Sequence, residues 1–556
     1  MSHNLLLQSW IPVAGPAGDV RRVTVAEAVA GLAPGWRIGW PRADFSGATH
    51  EFLIGLLHLT DLLPADDDAW AELWEAPPTV ERVTAALAPL VPQFELDGPG
   101  PRVLQDPTAA EGGKPVEIAA LLIDSPGENA LTRNMDIFVK RGRAGAMCPD
   151  CAAMALITMQ SYAPSGGQGH RTSLRGGGPL TTLVTAEGAG RTLWHTLWAN
   201  VMPRDALEDA AGGDPFAPGP VLPWTAPLRL SEAEGSQAKP HQAPFLQAFF
   251  GQPRRIWLDF EAVSAGDCAL CGRASDRLVG RMATKPRGVN YEGGWRHPLS
   301  PYGVEIGKPE TYAARKGSPA GQDYRDWLGL VETPPRPPGG KGRVRVPALA
   351  VEHFRARAKA LHLNEPLRLW AYGYDTDNMK ARGWNDSRMP LHPQARNEAA
   401  FVAAVSRAVA VSDEALHGLT RALRVALIGD AGDTKAEFLP QRATLVDATR
   451  DAFFALLEAV ARRDAAGESI KMEEVSPDMA RWHKAVATAA LRVFDDAVAA
   501  TPFGATEAFD RRAAGGEPRQ PRWVRARNDL IAGLWGKQME AKAMLTLRPQ
   551  SRESAA

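Results

Sequence analysis

The chain has 556 residues and carries 63 basic against 64 acidic side chains, a net charge of −1 at pH 7. An apolar fraction of 45% excludes a disordered polar chain, the length allows two or three domains with separate cores, and the charge balance gives no global sign of nucleic-acid binding. No uninterrupted apolar run approaches the roughly 20 residues needed to cross a bilayer, and Met1-Ser2-His3-Asn4-Leu5 lacks a secretory signal, so a cytoplasmic protein with no membrane partner is expected.

Leu5 to Val13 reads as a strand ending near Pro12. A helix is expected from about Ser46, with Phe52, Leu53, Leu56, Leu57, Leu59 and Leu63 on one broad face and Pro64 and the run Asp66-Asp67-Asp68 ending it. From there to about residue 380, short apolar runs alternate with Gly and Pro breaks, the texture of an irregular α+β domain and not of a repeat or doubly wound sheet. Thr333 to Gly342, rich in Pro and Gly, reads as an exposed loop. Leu367-Arg368-Leu369-Trp370 predicts a strand, and the Asp- and Asn-rich stretch Tyr372 to Arg382 a turn. Past about residue 394 the texture becomes Ala- and Leu-rich with helical periodicity. Helices are expected over Asn397–Val411, from an N-cap at Ser412 through Ile428, over Gln441–Arg463, from Ser476-Pro477 through Phe494, and over Trp523–Leu545. Amphipathic helices in succession favour an antiparallel bundle. The expected fold is therefore α+β: a mixed domain over 1–380 and a helical bundle over 394–550.

All four cysteines fall into two Cys-x-x-Cys pairs, Cys148/Cys151 and Cys268/Cys271. This spacing lets one tight turn present two sulfurs to a single ion, so the pairs read as halves of a tetrahedral Zn²⁺ site. Two disulfides, two redox pairs or four buried thiols are the other uses of such cysteines, and disulfides do not suit a chain without a secretory signal. Four thiolates leave no open position, so a zinc held here is structural.

Enzyme motifs are missing: there is no phosphate loop, no His-Glu-x-x-His and no Gly-x-Ser-x-Gly. A hydrolase with an unrecognised site is the minor alternative, and His195, His353 and His483 sit in contexts that suit packed histidines. Basic residues cluster over Arg133–Arg143, Arg171–Arg175 and Lys285-Pro286-Arg287, where solvated faces and ligand contacts are both consistent readings. The segment Ser165-Gly166-Gly167-Gln168-Gly169-His170-Arg171 lets backbone approach a phosphate or base edge, with Arg171 and Arg175 supplying charge; a flexible surface loop is the plain alternative. At Asp377-Asn378-Met379-Lys380, Asn suits a base edge, Met a wedge into a base step, and Lys380 and Arg382 phosphates, although a plain turn has the same composition.

Taken in order, these segments resemble the large subunit, the CasA family, of the type I-E CRISPR surveillance complex Cascade. The resemblance runs through Asn4 to Val13, Cys148-Pro149-Asp150-Cys151, Ala163 to Gly177, Phe249 to Pro253, Cys268 to Gly272 and Gly294 to Pro298, collinearly over nearly the whole chain. It implies a non-catalytic subunit that inspects double-stranded DNA for a protospacer-adjacent motif, helps open the duplex, and recruits a helicase–nuclease, while guide RNA reads the long sequence by pairing. Its partners would be crRNA-containing Cascade subunits, target duplex DNA and the helicase–nuclease.

By position, the family's glycine loop maps to Ser165, Gly166, Gly167, Gln168 and Gly169, facing the minor groove, with Ser165 and Gln168 standing where glycines are usual. The family's minor-groove lysine falls near Pro286, so Lys285 or Arg287 takes its place. Its wedge falls at Asn378, with Asp377 and Met379 beside it. A loop containing Phe138, Lys140 and Arg141 resembles the segment that contacts the crRNA end or a neighbouring subunit. The competing reading is a zinc-stabilised protein and RNA scaffold with no DNA readout of its own.

Overall fold

The computed structural model describes residues 3–136, 141–167, 169–233, 235–335, 342–363, 365–377, 379–391, 398–429, 435–466, 477–501 and 521–536. Two compact units emerge: Met1–Gly321 with Arg343–Leu391, and Gln322–Gly342 with His392–Ala556. The first mixes helices with small antiparallel sheets of two or three strands, and the second is helical among its described residues. Phe138, Lys140, Gln168 and Asn378 lie outside the described residues.

In the first unit the amino-terminal segment is two short strands, not one. His3–Asn4 pairs with Glu95–Asp97, the chain then turns with Asn4 Oδ1 accepting from the Leu6 amide at 3.0 Å, and a strand resumes at Ile11–Ala14. The helix expected from Ser46 spans Ala43–His58 and is buried on nearly all sides, not along one face. It ends before Pro64, and the acidic run opens the next helix: Asp66 caps Asp67–Glu75 by accepting from the Ala69 amide at 2.9 Å, where negative charge meets the positive end of the helix dipole.

Two elements of this unit position the site. The helix Pro149–Tyr162 is buried along almost its whole length. A long hairpin, Leu367–Asp377 against Lys380–Pro390, pairs through its first strand with Leu180–Ala186. Most of the stretch expected as a plain turn, Tyr372 to Arg382, is strand, and the second hairpin strand continues to Pro390. Its composition is polar because it is an edge strand, and its Trp384 packs against Tyr372 and Tyr374.

In the second unit, helices span Glu398–Leu423, Leu439–Ala465, Pro477–Ala499 and Arg522–Trp535. Within the helices expected there, the apolar residues Leu445, Phe453, Leu456, Leu457, Val460, Trp482, Val486, Ala490, Val493 and Phe494 are all buried. Ser412 is not an N-cap. It lies inside one continuous helix, fully buried, and its hydroxyl is satisfied by Tyr324 Oη at 2.6 Å while Asp413 pairs with Arg325 at 3.2 Å. These tertiary partners remove the competition with the backbone that makes serine a helix-end residue. Among the described residues, no helix of the chain is long and apolar enough to cross a membrane.

Candidate metal centre and nucleic-acid interface

The Pro149–Tyr162 helix carries one cysteine pair at its start. Cys148 is the N-cap and Cys151 lies in the first turn, where the helix dipole favours thiolate. The second pair sits in the turn of the hairpin Val263–Asp267/Ala274–Val279, closed by the Cys268 amide on Arg273 O at 2.8 Å and the Gly272 amide on Cys268 O at 2.9 Å. The four Sγ atoms lie within 4.8 Å of one another, and those of Cys148 and Cys271 are 3.8 Å apart. Tetrahedral Zn–S bonds of about 2.3 Å place sulfurs about 3.8 Å apart, so the cluster fits a divalent ion with four thiolate ligands. With protons alone the sulfurs cannot all ionise: the hydrogen bond with Cys148 pushes the Cys151 thiol up, while hydrogen bonds from Cys148 and Cys151 hold Cys268 down. Arg22 approaches Cys271 Sγ at 3.5 Å, and Asp150 pairs with Arg22 and Arg273 at 3.3 and 2.7 Å, giving the cluster cationic neighbours fixed in place.

The other end of the same helix leads into the glycine loop. Tyr162, its last residue, donates to Glu51 Oε1 from the Ala43–His58 helix. Arg175, on the far stem of the loop, donates to Glu51 Oε2 at 2.8 Å, and Thr181 donates to Oε1 at 2.6 Å. Arg175 is thus a buried structural cation, not a phosphate contact: its remaining donors go to Thr181 and Ser300 at 2.9 and 3.0 Å. The Ala43–His58 helix holds the hairpin too, since Tyr372 Oη donates to Gly47 O at 3.0 Å and Tyr374 Oη to Asp44 Oδ2 at 2.5 Å.

Held this way, the tips converge. Gly167 has φ +65° and a Cβ there would stand 3.3 Å from Met379 Sδ at the hairpin tip. Gly169 has φ +83°; its carbonyl accepts from the Arg287 amide at 2.8 Å, and a Cβ there would stand 3.3 Å from Arg287 Cγ. Three segments far apart in sequence therefore meet: the loop 165–169, the turn after the Arg281–Lys285 strand, and the hairpin tip. Met379 is 50% exposed, and Asp377, Lys380 and Arg287 are exposed beside it.

The individual side chains differ in freedom. Lys285 is half-buried and its ammonium is committed to the Thr108 carbonyl, whereas the Arg287 side chain has no hydrogen bond or ion pair among the described residues. Arg171 keeps only part of its fork free, since Nε donates to Ser231 Oγ at 2.9 Å. Ser165 is half-buried in the loop stem. Arg382 is held by both oxygens of Asp375, at 2.9 and 2.7 Å, and Arg141 by both oxygens of Asp136 at 2.7 Å. His195 and His483 are packed as expected, bonding Thr192 and the Leu534 carbonyl, and half-buried His353 is pushed below its usual pKa by burial.

Two participants are not evident from the sequence. Glu51, in an apolar helix, gives no motif at all. Arg254, whose guanidinium lies against Gly166, is signalled only by the arginine pair 254–255 that follows Phe249 to Pro253.

Comparison with known proteins gives the family and the fold. Residues 4–493 match the family model of the CRISPR-associated protein Cse1. The chain belongs to that family. Thermus thermophilus CasA (Cse1) has a similar fold, with a TM-score of 0.63 at 20% identity over 98% of this chain and 99% of that one. Thermobifida fusca Cse1 superposes with a TM-score of 0.68 at 18% identity, over 97% and 98% of the two chains. A chain of a CRISPR RNA-guided surveillance complex matches with a TM-score of 0.58 at 16% identity, covering 96% of this chain and 100% of that one.

Proposed function

We propose that this Cse1-family chain is the DNA-inspecting subunit of a crRNA-guided, type I-E Cascade complex. It reads a protospacer-adjacent motif in duplex DNA from the minor groove, assists duplex opening and R-loop formation, and recruits a helicase–nuclease, acting in the cytoplasm and catalysing no reaction itself. The observation that carries this reading is the meeting of Gly167, Gly169, Arg287 and Met379 at one exposed place. Side-chain-free backbone fits close to a groove, the minor groove offers a degenerate pattern that suits tolerant recognition, and an exposed Met beside it suits a base-step wedge. Of the two residues that could enter the groove, the uncommitted Arg287 is favoured over Lys285. Asn378 completes the wedge with Asp377 and Met379, Lys380 and Arg171 serve phosphates, and Phe138, Lys140 and Arg141 meet the crRNA end or a neighbouring subunit.

In this reading the four cysteines hold a structural Zn²⁺, and the carboxy-terminal helices form an antiparallel bundle. The net charge of −1 suits a subunit whose positive patches are local and whose DNA contacts are weak enough to release non-target sites quickly. The test is binding of the reconstituted complex to a randomised motif library, with the wild-type chain, without it, and with Gly166 and Gly167 both changed to Val. Motif enrichment is expected only with the wild-type chain. Unchanged enrichment in the Val variant, with assembly intact, would favour a zinc-stabilised scaffold that leaves DNA readout to other subunits.

A further inference from the structure

Two adjacent arginines are treated oppositely by the fold. Arg255 is buried and fully paired: Nε donates to Asp106 Oδ2 at 2.7 Å, Nη1 to Glu232 Oε1 at 3.0 Å, and Nη2 to Thr108 Oγ1 at 2.6 Å. Arg254 has no carboxylate partner among the described residues. Its backbone is pinned to the Pro149–Tyr162 helix, its amide donating to Gln160 Oε1 and its carbonyl accepting from Gln160 Nε2, both at 3.0 Å. Its guanidinium makes one hydrogen bond, from Nη2 to the Pro164 carbonyl at 2.6 Å, and its Nε is buried without an acceptor. Burial lowers its pKa to about 10, so the group stays charged at neutral pH.

A charge drawn this far out of water is costly unless something compensates it. The loop above it shows where compensation can enter. A Cβ on Gly166 would stand 2.4 Å from Arg254 Nη1 and 2.7 Å from His170 Cβ, so only bare glycine backbone fits beside Nη1 on that side. The pairing of Lys285 with Arg255 brings the next residues, Pro286 and Arg287, beside Arg254, and a Cβ on Gly288 would lie 3.5 Å from the Arg254 Cα. Two guanidinium-bearing side chains without acidic partners therefore flank the turn 166–169, Arg254 at its first glycine and Arg287 at its last.

We propose that Arg254 is a phosphate-binding residue: through the gap left at Gly166 its guanidinium takes a phosphodiester oxygen of the duplex backbone while the loop faces the groove. This rests on the DNA-inspecting reading above. A free phosphate presents the same oxygens, but a second cation on the other side of the glycine-rich turn matches a continuous backbone running over the loop.

The test uses the complete reconstituted complex and a motif-bearing duplex, with affinity measured from about 50 to about 200 mM salt for wild type, Arg254→Gln and Arg254→Lys. One lost phosphate contact lowers the slope of log affinity against log salt by about 0.9, so wild type should lose about 3.5-fold more affinity across that range than Arg254→Gln. The order of preferred motifs should not change, and Arg254→Lys, which keeps the charge, should keep the slope. An unchanged slope in Arg254→Gln overturns the proposal; a changed motif order with it would make Arg254 a support for the Pro164 stem. If Arg254→Gln fails to assemble, Gly166→Ala, which crowds Nη1 and leaves the charge, must lower the slope instead, and a full slope there overturns the proposal equally. Inorganic phosphate titrated into DNA-free complex separates the sources: phosphate binding by wild type and not by Arg254→Gln, with equal DNA slopes, would make this a small-anion site and sink the assignment. Failure of the wild-type complex to bind duplex at all would instead remove the DNA-inspecting reading itself, and this inference with it.

Discussion

The two ends of the Pro149–Tyr162 helix are opposites. At about 1.5 Å per residue its 14 residues make a rod of roughly 21 Å. Its start is closed: three of the four cysteines are buried, their sulfurs face one another, and the cations around them are tied to Asp150. Its far end is open. Both stems of the glycine loop are fixed through Glu51, yet the tip beyond them presents glycine backbone, exposed Met379, Asp377 and Lys380, and two arginines with no acidic partner among the described residues. The difference separates two jobs that a single site cannot do well. On the proposed reading, position is set where polar groups are satisfied internally, and recognition is left where groups are uncovered and a ligand supplies the missing partners.

Removing the closed end should have the largest effect. Changing Cys268 and Cys271 together to Ser releases the hairpin turn from the helix start. Metal analysis is expected to fall from one zinc per chain to none, with a large drop in thermal midpoint; the apparent binding energies of about 10–16 kcal/mol seen for small zinc domains set the ceiling. Loss of metal with an unchanged midpoint would show that the closed end is not what fixes the rod.

The next effect concerns the stems. Glu51→Gln leaves Arg175 buried and unpaired, which typically costs about 3–5 kcal/mol, and weakens the acceptor shared by Tyr162 and Thr181. Urea unfolding should show that loss. Glu51→Leu with Arg175→Met should recover much of it, because two apolar side chains leave no buried charge. A loss below about 1 kcal/mol for Glu51→Gln would mean that the stems are held by packing alone.

How far these features can be read from the sequence follows the same division. The cysteine pairs and the loop are legible because their chemistry depends on local spacing: Cys-x-x-Cys makes half a metal site wherever it is placed, and glycines free a backbone wherever they occur. The helices of the second unit are legible from their period. What escapes is whatever depends on a distant partner. Arg175 and Arg171 look alike in sequence, but Glu51, 124 positions away from Arg175, neutralises only the former. Ser412 resembles a helix start until Tyr324 accounts for its hydroxyl. Tyr372 to Arg382 reads as a turn because the polar start of an edge strand with one solvated face need not be apolar.

The smallest effect on stability, and the sharpest on function, belongs to the hairpin tip. Met379 is half exposed, with its sulfur over Gly167, so Met379→Ala should change stability by no more than about 0.5 kcal/mol. If the open end works as a wedge, the same change should leave motif preference intact and reduce opening of the first base pair. Unstacking one step costs a few kcal/mol. A side chain that contributes about 1 kcal/mol of it would, on removal, lower the opened fraction about fivefold, as read by a fluorescent base analogue beside the motif in the assembled complex. Weaker motif preference with normal opening would instead place Met379 in groove reading, and a substantial loss of stability would place it among the closed contacts. Only a defect confined to opening fits a methionine held at a fixed point by the hairpin and half exposed there.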